Sequence, residues 1–287
     1  MTRTIGANVT SLPPPTHIGG QGSALILLHG IGGTWEIWKP VLPALEARHR
    51  VIAMTIPGHD GGPAYCGGGD ATVAGLADQI VATLRAQGIE QAHVAGYSFG
   101  GWLSIELARR RFARSVVAFS PAGGWRCDHD FLVVARSFRI LYTLADVLQI
   151  LIAPVARFGW LRRVLLSQAM EHGERVSQEE VAAFLRAVSN TKILPGLLRT
   201  MRRDGPVASL EGGGAPIRIA WCERDGVIPF QRYGEPFIER IHGADVTVAL
   251  GVGHVPIYDD PAQVVATILG VTGPADAAAR KGVTDRS

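Results

Sequence analysis

The sequence predicts an α/β protein with a mostly parallel β-sheet, helices on both faces of the sheet and one inserted helical segment. Short apolar runs of buried-strand type alternate with helical patterns between residues 24 and 125, and the alternation resumes after residue 211. The chain has 287 residues, of which 47% are hydrophobic and 18% are charged. This composition is typical of a globular protein that can bury a sizeable core.

Six strands and five helices follow from the apolar patterns. The predicted strands are residues 24–29, 50–56, 91–97, 115–121, 217–223 and 245–250, and the predicted helices are residues 35–47, 72–87, 99–111, 232–242 and 261–270. A strand that is followed by a helix and a parallel strand forms a right-handed crossover, so helices cover both faces of the sheet.

Residues 126–210 interrupt this alternation and are predicted to form a helical cap. The most apolar stretch, 131–152, contains Arg136, Arg139 and Asp146, which argues against a membrane span. We expect residues 1–125 and 211–272 to form one sheet domain, with the cap over the carboxyl ends of its strands, where open α/β sheets bind ligands. Residues 273–287 are small and polar, and we expect a flexible tail.

Charge and cysteine content exclude several classes of function. The net charge is only +3, from 28 basic and 25 acidic residues, which gives no electrostatic basis for binding nucleic acid. Cys66, Cys127 and Cys222 are odd in number and far apart, so they predict neither a disulfide framework nor a metal site. With no signal-peptide pattern at the N-terminus, the sequence predicts a reduced, cytoplasmic protein.

Ser98 lies where a predicted strand turns directly into a predicted helix, within the sequence GYSFG. Such a turn strains the backbone and crowds the neighbouring side chains, and Gly96 and Gly100 relieve that crowding. The hydroxyl then stands exposed at the end of the strand, in the strand–turn–helix context of a nucleophile elbow. A small-residue turn with no chemical role is the alternative interpretation.

A glycine-rich turn, HGIGG, follows the first predicted strand and ends at the same edge of the sheet. The backbone amides of Ile31 and Phe99 are predicted to form an oxyanion hole, which stabilises the negative charge of an acyl-transfer transition state. The turn lacks the patterns of a P-loop or a dinucleotide fold. We interpret His29 as a structural residue of this turn, and we expect His59, Trp35 and Tyr97 to line the pocket.

Asp225 and His254 follow two consecutive predicted strands late in the chain. A serine hydroxyl needs a base to remove its proton, and the imidazole of that base needs a carboxylate to set its tautomer. The chain order Ser98, Asp225, His254 is the one expected for this architecture. Asp259 and Asp260 precede Pro261 and are interpreted as the N-cap of the last helix.

The motifs HGIGG, PGHDGG, GYSFGG, ERDGVIP and GHVPIYDDP, in this order, resemble the α/β-hydrolase superfamily and its cap-bearing serine hydrolases. The resemblance implies the α/β-hydrolase fold, with Ser98 as nucleophile, Asp225 as acid, His254 as base and the two amides as oxyanion hole. Serine at the nucleophile position departs from the epoxide hydrolases and haloalkane dehalogenases of the superfamily, which attack through a carboxylate. The antiparallel strands that usually open the fold are not evident in the first 20 residues, where we expect a reduced or irregular segment.

The expected reaction is hydrolysis of a small-molecule carboxylic ester through an acyl-enzyme, with no metal and no organic cofactor. The apolar cap favours a hydrophobic acyl or aromatic ester, although those residues could equally serve only to pack the cap onto the domain. Three alternatives stay open: a carbon–carbon bond hydrolase with a cap arginine for a substrate carboxylate, a cofactor-free perhydrolase or peroxidase, and a hydrolase-like ligand sensor.

Overall fold

The computed structural model describes residues 16–152, 156–212 and 214–284. In these residues one seven-stranded sheet has the strand order β1-β3-β2-β4-β5-β6-β7. The strands are β1 (Thr16–Gly19), β2 (Ala24–Leu28), β3 (Arg50–Met54), β4 (Ala92–Tyr97), β5 (Ala113–Phe119), β6 (Ile217–Cys222) and β7 (Asp245–Ala249). β1 pairs antiparallel with β3, and every other pair is parallel. The mostly parallel sheet predicted from the sequence is therefore confirmed.

Helices cover both faces of the sheet and create two hydrophobic layers. The helices of the sheet domain are α1 (Leu42–Glu46), α2 (Val73–Ala86), α3 (Phe99–Arg109), α8 (Glu235–Ile238), α9 (Pro256–Asp259) and α10 (Pro261–Thr284). Ile26 and Leu28 of β2 pack into one layer, whereas Leu25 and Leu27 pack into the other. Alternate residues of a strand point to opposite faces, so a continuous apolar run buries both faces of β2.

Four helices lie between β5 and β6, in the segment that the sequence marked as an insertion. They are α4 (Asp128–Ile152), α5 (Gly159–Leu165), α6 (Gln178–Asn190) and α7 (Leu194–Asp204). α6 begins with a capping box, in which the Glu180 amide donates to Ser177 Oγ (3.1 Å) and the Ser177 amide donates to Glu180 Oε2 (2.8 Å). No helix in the described part of the chain is long and apolar enough to cross a membrane.

The structure corrects three expectations about the elements. The predicted helix 35–47 is divided into a 3₁₀ turn (Trp35–Trp38) and α1, because Pro40 has no amide hydrogen for a continuous helix. The predicted helix 232–242 is likewise a π-helical turn (Phe230–Gly234) followed by the short α8. The expected irregular start contains the short edge strand β1, while residues 1–15 lie outside the described residues.

The expectation of a flexible tail from residue 273 is also corrected, since α10 continues through this segment to Thr284. The alanines after Pro274 favour helix, and Asp276 attaches the segment to the sheet domain. Its carboxylate accepts a hydrogen bond from Ser23 Oγ (2.6 Å) and lies 3.0 Å from His93 Nε2. Tertiary contacts therefore stabilise a segment whose composition alone predicts a flexible tail.

Strand order also determines where a ligand can bind. The chain leaves β2 for β3 on one side and leaves β4 for β5 on the other side, so the two crossovers from these neighbouring strands diverge. Such a switch point opens a crevice at the edge of an α/β sheet. The residues that follow β2 and β4 are the glycine-rich turn and Ser98.

Candidate active site

Ser98 occupies the turn between β4 and α3 in a strained conformation, with φ 53° and ψ −121°. The surrounding backbone holds this conformation: the Ser98 amide donates to the Phe119 carbonyl (2.9 Å), and the Ser98 carbonyl accepts from Ala122 (2.9 Å) and Trp102 (3.2 Å). A serine at positive φ is an uncommon backbone state that persists only where surrounding contacts impose it. The strand–turn–helix context predicted for Ser98 is therefore present.

The two glycines of the elbow are required by close backbone approaches. A Cβ at Gly96 would lie 2.3 Å from the Gly100 carbonyl oxygen, and a Cβ at Gly100 would lie 2.2 Å from the Leu28 carbonyl oxygen. Real Cβ atoms essentially never approach the backbone so closely, so any other residue at either position would force the surrounding backbone to shift. This is the crowding that the sequence pattern predicted.

Ile31 and Phe99 line the same cavity as Ser98. Within the described residues, neither backbone amide donates a hydrogen bond to another protein group. The turn before Ile31 is closed by a hydrogen bond from the Gly33 amide to the Gly30 carbonyl (3.1 Å), and Gly32 has φ 75°. Ile31 and Phe99 thus border the cavity at Ser98 with backbone amides that have no acceptor among the described residues.

Asp225 and His254 are in direct contact although they are 29 residues apart in the chain. His254 Nδ1 lies 2.7 Å from Asp225 Oδ2, and both side chains are buried. The other carboxylate oxygen, Oδ1, accepts hydrogen bonds from the amides of Val227 (2.9 Å) and Ile228 (2.8 Å). These acceptor bonds suit an ionised carboxylate, which places the imidazole proton on Nδ1 and leaves Nε2 as a proton acceptor.

The elbow at Ser98 and the loop that contains His254 are in contact through Tyr97, the residue before Ser98. The rings of Tyr97 and His254 pack edge to face, with their centroids 6.3 Å apart. Among the described residues, no hydrogen bond of 3.5 Å or less joins Ser98 Oγ to His254. The structure thus brings Asp225 and His254 together and packs Tyr97, the residue before Ser98, against the imidazole.

Asp259, which was interpreted from the sequence as part of a helix N-cap, is buried and instead stabilises the loop that contains His254. Asp259 accepts hydrogen bonds from the amides of Gly253 (2.8 Å), Glu171 (3.0 Å) and His172 (2.7 Å), so it joins the His254 loop to the cap. Only Asp260 acts as the expected N-cap, since its Oδ1 accepts from the Gln263 amide (2.8 Å). The sequence contains no signal for the first role, because the partners of Asp259 lie in the insertion.

His29 and His59 are fully buried beneath the glycine-rich turn. The Ile56 amide donates to His29 Nε2 (2.9 Å), and His29 Nδ1 donates to the Gly30 carbonyl (2.7 Å). Burial lowers the pKa of His29 well below its usual value, and burial lowers the pKa of His59 to about 4. His29 is therefore the neutral structural residue that was expected.

The cavity at Ser98 is small and apolar. Its volume is about 60 Å³, and aromatic residues that include Trp102, Trp125 and Phe131 line it together with the elbow. No arginine lines this cavity among the described residues. The cavity beside the Ser98 hydroxyl therefore suits an uncharged group of a substrate.

A larger cavity of about 460 Å³ lies between the cap and the sheet domain, but Ser98 and His254 do not line it. Trp35 and Tyr97, two of the residues expected to line the pocket, contribute to this second space. His59, the third, lines neither cavity, and its ring packs against His29 (centroids 4.9 Å apart) and Phe99 (6.4 Å).

The described residues contain one group that could hold a metal ion, formed by His49, His93 and Asp276 at the opposite end of β4 from Ser98. One ligand atom from each lies within 4.8 Å of the others. Both histidines already use their two ring nitrogens in hydrogen bonds, to Ser23 and Thr272 for His49 and to Ser115 and Asp276 for His93. The group is therefore a saturated polar network, remote from the elbow.

Comparison with known proteins relates this chain to hydrolases. The profile of the alpha/beta hydrolase family matches residues 25–267. Epoxide hydrolase EphH of Mycobacterium tuberculosis is 31% identical over 206 residues, which cover 67% of this chain and 91% of that protein. The putative carbamate hydrolase RutD of Variovorax paradoxus is 30% identical over 216 residues, covering 73% and 77% of the two chains.

A solved structure of a thermophilic esterase from Thermogutta terrifontis superposes with a TM-score of 0.69 at 17% identity and covers 91% of this chain and 93% of that one. At this identity the superposition shows the fold alone. The profile match, which spans most of the sequence, shows the family. The chain belongs to the alpha/beta hydrolase family and is a hydrolase of that fold.

Proposed function

We propose that this protein is a serine hydrolase that cleaves a small-molecule carboxylic ester through an acyl-enzyme, with Ser98, His254 and Asp225 as its catalytic triad. The observation that carries the proposal is the combination of an elbow serine in a strained turn with a buried Asp225–His254 pair of 2.7 Å beside it. Backbone strain at Ser98, in a turn that Gly96 and Gly100 make possible, is typical of a functional residue.

The proposed chemistry follows from the donors and acceptors around Ser98. His254 Nε2 takes the hydroxyl proton while Oγ forms a bond to the ester carbonyl carbon, and the amides of Ile31 and Phe99 bind the resulting oxyanion. The imidazolium then protonates the leaving alcohol, and water attacks the acyl-enzyme with His254 as base, which restores Ser98. Catalytic hydrogen bonds are often long before substrate binds, so we expect the hydrogen bond between Ser98 Oγ and His254 to form in the substrate complex.

Epoxide hydrolysis is the second candidate, because an epoxide hydrolase is 31% identical to this chain. Carboxylate attack on an epoxide forms an ester, which water can hydrolyse at its carbonyl. Attack by a serine hydroxyl would instead form an alkyl ether, which has no carbonyl carbon for water to attack. Ser98 therefore favours acyl transfer over epoxide opening through a covalent intermediate.

The lining of the Ser98 cavity favours an uncharged acyl or aromatic group over a carboxylated substrate. A carbon–carbon bond hydrolase of the kind considered above would need a cationic side chain directed at the reacting centre. Arg186 lines the larger cavity, where its guanidinium lies 3.8 Å from the carboxylate of Asp60. Because Arg186 is paired with Asp60 and does not line the cavity at Ser98, an uncharged ester is better supported than a carboxylated substrate.

Labelling with a fluorophosphonate, followed by peptide mass spectrometry, tests the proposal. We expect the label on Ser98, no label in Ser98→Ala, and loss of p-nitrophenyl ester cleavage in step with labelling. The same preparation is then offered an aromatic epoxide, for which we expect no turnover. A protein that resists the label, or that carries it elsewhere while still cleaving esters, contradicts the triad assignment. Epoxide turnover that survives labelling would favour the second candidate.

A further inference from the structure

The outer face of the cap carries large apolar side chains that are exposed to solvent. Along α4, Ile140, Leu144, Val147 and Leu151 follow the spacing i, i+4, i+7, i+11 and lie on one side of the helix. The exposed fraction reaches 74% for Ile150 and 67% for Trp160. The cap patch consists of Ile140, Leu144, Val147, Ile150, Leu151, Phe158, Trp160 and Val164.

Exposed arginines accompany the cap patch. Within the described residues, Arg136, Arg139, Arg157 and Arg163 form no ion pair of 4.0 Å or less, although Arg163 interacts electrostatically with Glu174 at longer range. Elsewhere in the cap the pattern differs: Arg199 and Arg202, for example, are bonded to aspartates. Residues 131–165 contain five arginines and a single acidic residue, Asp146. The cap patch is therefore apolar at its centre and cationic around it.

We propose that the cap patch docks onto an anionic lipid surface, an inference that goes beyond the proposed hydrolase activity. Tryptophan and phenylalanine favour the boundary between headgroups and acyl chains, and an amphipathic helix with an apolar outer face lies in that plane. Exposed arginines are attracted to anionic headgroups. Arg157 suits this position, since its guanidinium lies 4.7 Å from the ring centroid of Phe158 and can accompany that ring to the interface.

Charge complementarity favours a lipid surface over a second copy of this chain. In a two-fold dimer the same patch faces itself, which would bring together eight arginines without a carboxylate within 4.0 Å and only two copies of Asp146. Like charges that are buried without partners oppose association. A layer of anionic headgroups over acyl chains offers a negative surface with an apolar region directly beneath it.

Docking in this way would hold the candidate active site near the lipid. The N-terminal half of α4 contributes Phe131, Val134 and Phe138 to the cavity at Ser98, while the C-terminal half carries Ile140, Leu144, Val147, Ile150 and Leu151 of the cap patch. The same helix thus contributes both to the cavity beside the elbow and to the docking surface. Apolar molecules dissolved in the bilayer would reach the cap before they reach bulk water.

Co-sedimentation with vesicles tests the proposal. The full chain is mixed with vesicles of phosphatidylcholine alone and of phosphatidylcholine containing roughly one third phosphatidylglycerol, at low and high salt. We expect binding to the anionic vesicles that weakens at high salt. The double variant Arg157→Gln/Arg163→Gln is expected to weaken partitioning roughly 25-fold, since each basic residue near such a surface contributes a factor of roughly five.

A second variant and two matched controls separate the patch from general effects. Ile150→Ser/Trp160→Ser removes the two most exposed apolar side chains and should reduce partitioning at least roughly tenfold. Val248→Ser/Leu250→Ser makes the same kind of change at the end of the edge strand β7, where Val248 within the strand is 57% exposed and Leu250 directly after it is 64% exposed. Arg48→Gln/Arg50→Gln removes two exposed charges outside the cap. Both control variants should bind the vesicles as the unchanged protein does.

Several results would overturn the proposal. Failure of the unchanged protein to bind anionic vesicles is one, and equal binding by the cap variants and the controls is another. Sedimentation velocity of the same samples provides the third: a dimer that Ile150→Ser/Trp160→Ser converts to monomer, without vesicle binding, would assign the patch to a second copy. Fluorophosphonate labelling of Ser98 is measured alongside, so a failure of the hydrolase proposal stays distinguishable from a failure of docking.

Discussion

Replacement of Asp225 by asparagine tests how this structure would activate Ser98. The carboxylate makes two kinds of contact: Oδ1 accepts the amides of Val227 and Ile228, and Oδ2 lies 2.7 Å from His254 Nδ1. An asparagine must place its oxygen toward the two amides, because its NH₂ group cannot accept their hydrogens. The NH₂ group then faces His254 Nδ1 and donates to it.

This exchange forces the wrong tautomer on the imidazole. Nδ1 becomes the acceptor, the proton moves to Nε2, and Nε2 can no longer take the proton of the Ser98 hydroxyl. Such a tautomer change in a Ser-His-Asp triad lowers kcat by roughly 10⁴-fold, which corresponds to about 5 kcal/mol of transition-state stabilisation. Both amide contacts persist, so the unfolding free energy should change by only about 1 kcal/mol.

The assay is p-nitrophenyl acetate cleavage, with thermal unfolding followed by circular dichroism on the same preparation. Asp260→Asn serves as the matched control, because asparagine caps a helix as well as aspartate does and Asp260 Oδ1 only accepts the Gln263 amide. The control should retain its activity within about twofold. If Asp225→Asn keeps more than about a tenth of the activity while folded, the tautomer argument is refuted.

Two further predictions concern stability. Gly100→Ala places a Cβ 2.2 Å from the Leu28 carbonyl oxygen and should lower the unfolding free energy by at least about 2 kcal/mol. Gly68→Ala serves as the control: its Cβ meets no atom within 4 Å, and the change should raise the unfolding free energy by about 0.4–1 kcal/mol. Equal melting temperatures of the two variants would contradict the elbow argument. Burial lowers the pKa of His59 to about 4 from 6.5, so the folded state binds fewer protons than the unfolded state between these pH values and loses stability as pH falls through them. We therefore expect the free energy of unfolding, measured with urea, to fall between pH 7.5 and pH 4.5 by about 2 kcal/mol less in His59→Gln than in the unchanged protein. An equal fall in both proteins would count against the shifted pKa.

The sheet and the edge that carries the candidate site could be predicted because their signals are local. Apolar runs of five to seven residues mark buried strands, and the GYSFG pattern marks a turn whose backbone leaves no room for a Cβ at positions 96 and 100. Parallel strands end at one edge, so residues that follow them in sequence are brought together without knowledge of any particular contact. Asp225 and His254 are in contact for that reason.

Contacts between distant segments decided the features that sequence patterns did not reveal. Asp259 is bonded to the amides of Glu171 and His172 in the cap, and α10 continues because Asp276 reaches Ser23 and His93. These partners have no periodic relation to one another along the chain. Only packing of the folded chain brings them within hydrogen-bond distance.

The amino-acid sequence by itself determined the strand–helix alternation, the insertion and the order of the three candidate catalytic residues, because these depend on backbone conformation and burial within a few neighbouring residues. Tertiary structure alone decided that the cavity at Ser98 is small and apolar, that Trp35 and Tyr97 line a separate space, and that one side of α4 stays exposed. The physical reason is that cavities and exposed faces are the spaces left by packing of whole elements, and no short stretch of sequence specifies how those elements approach one another.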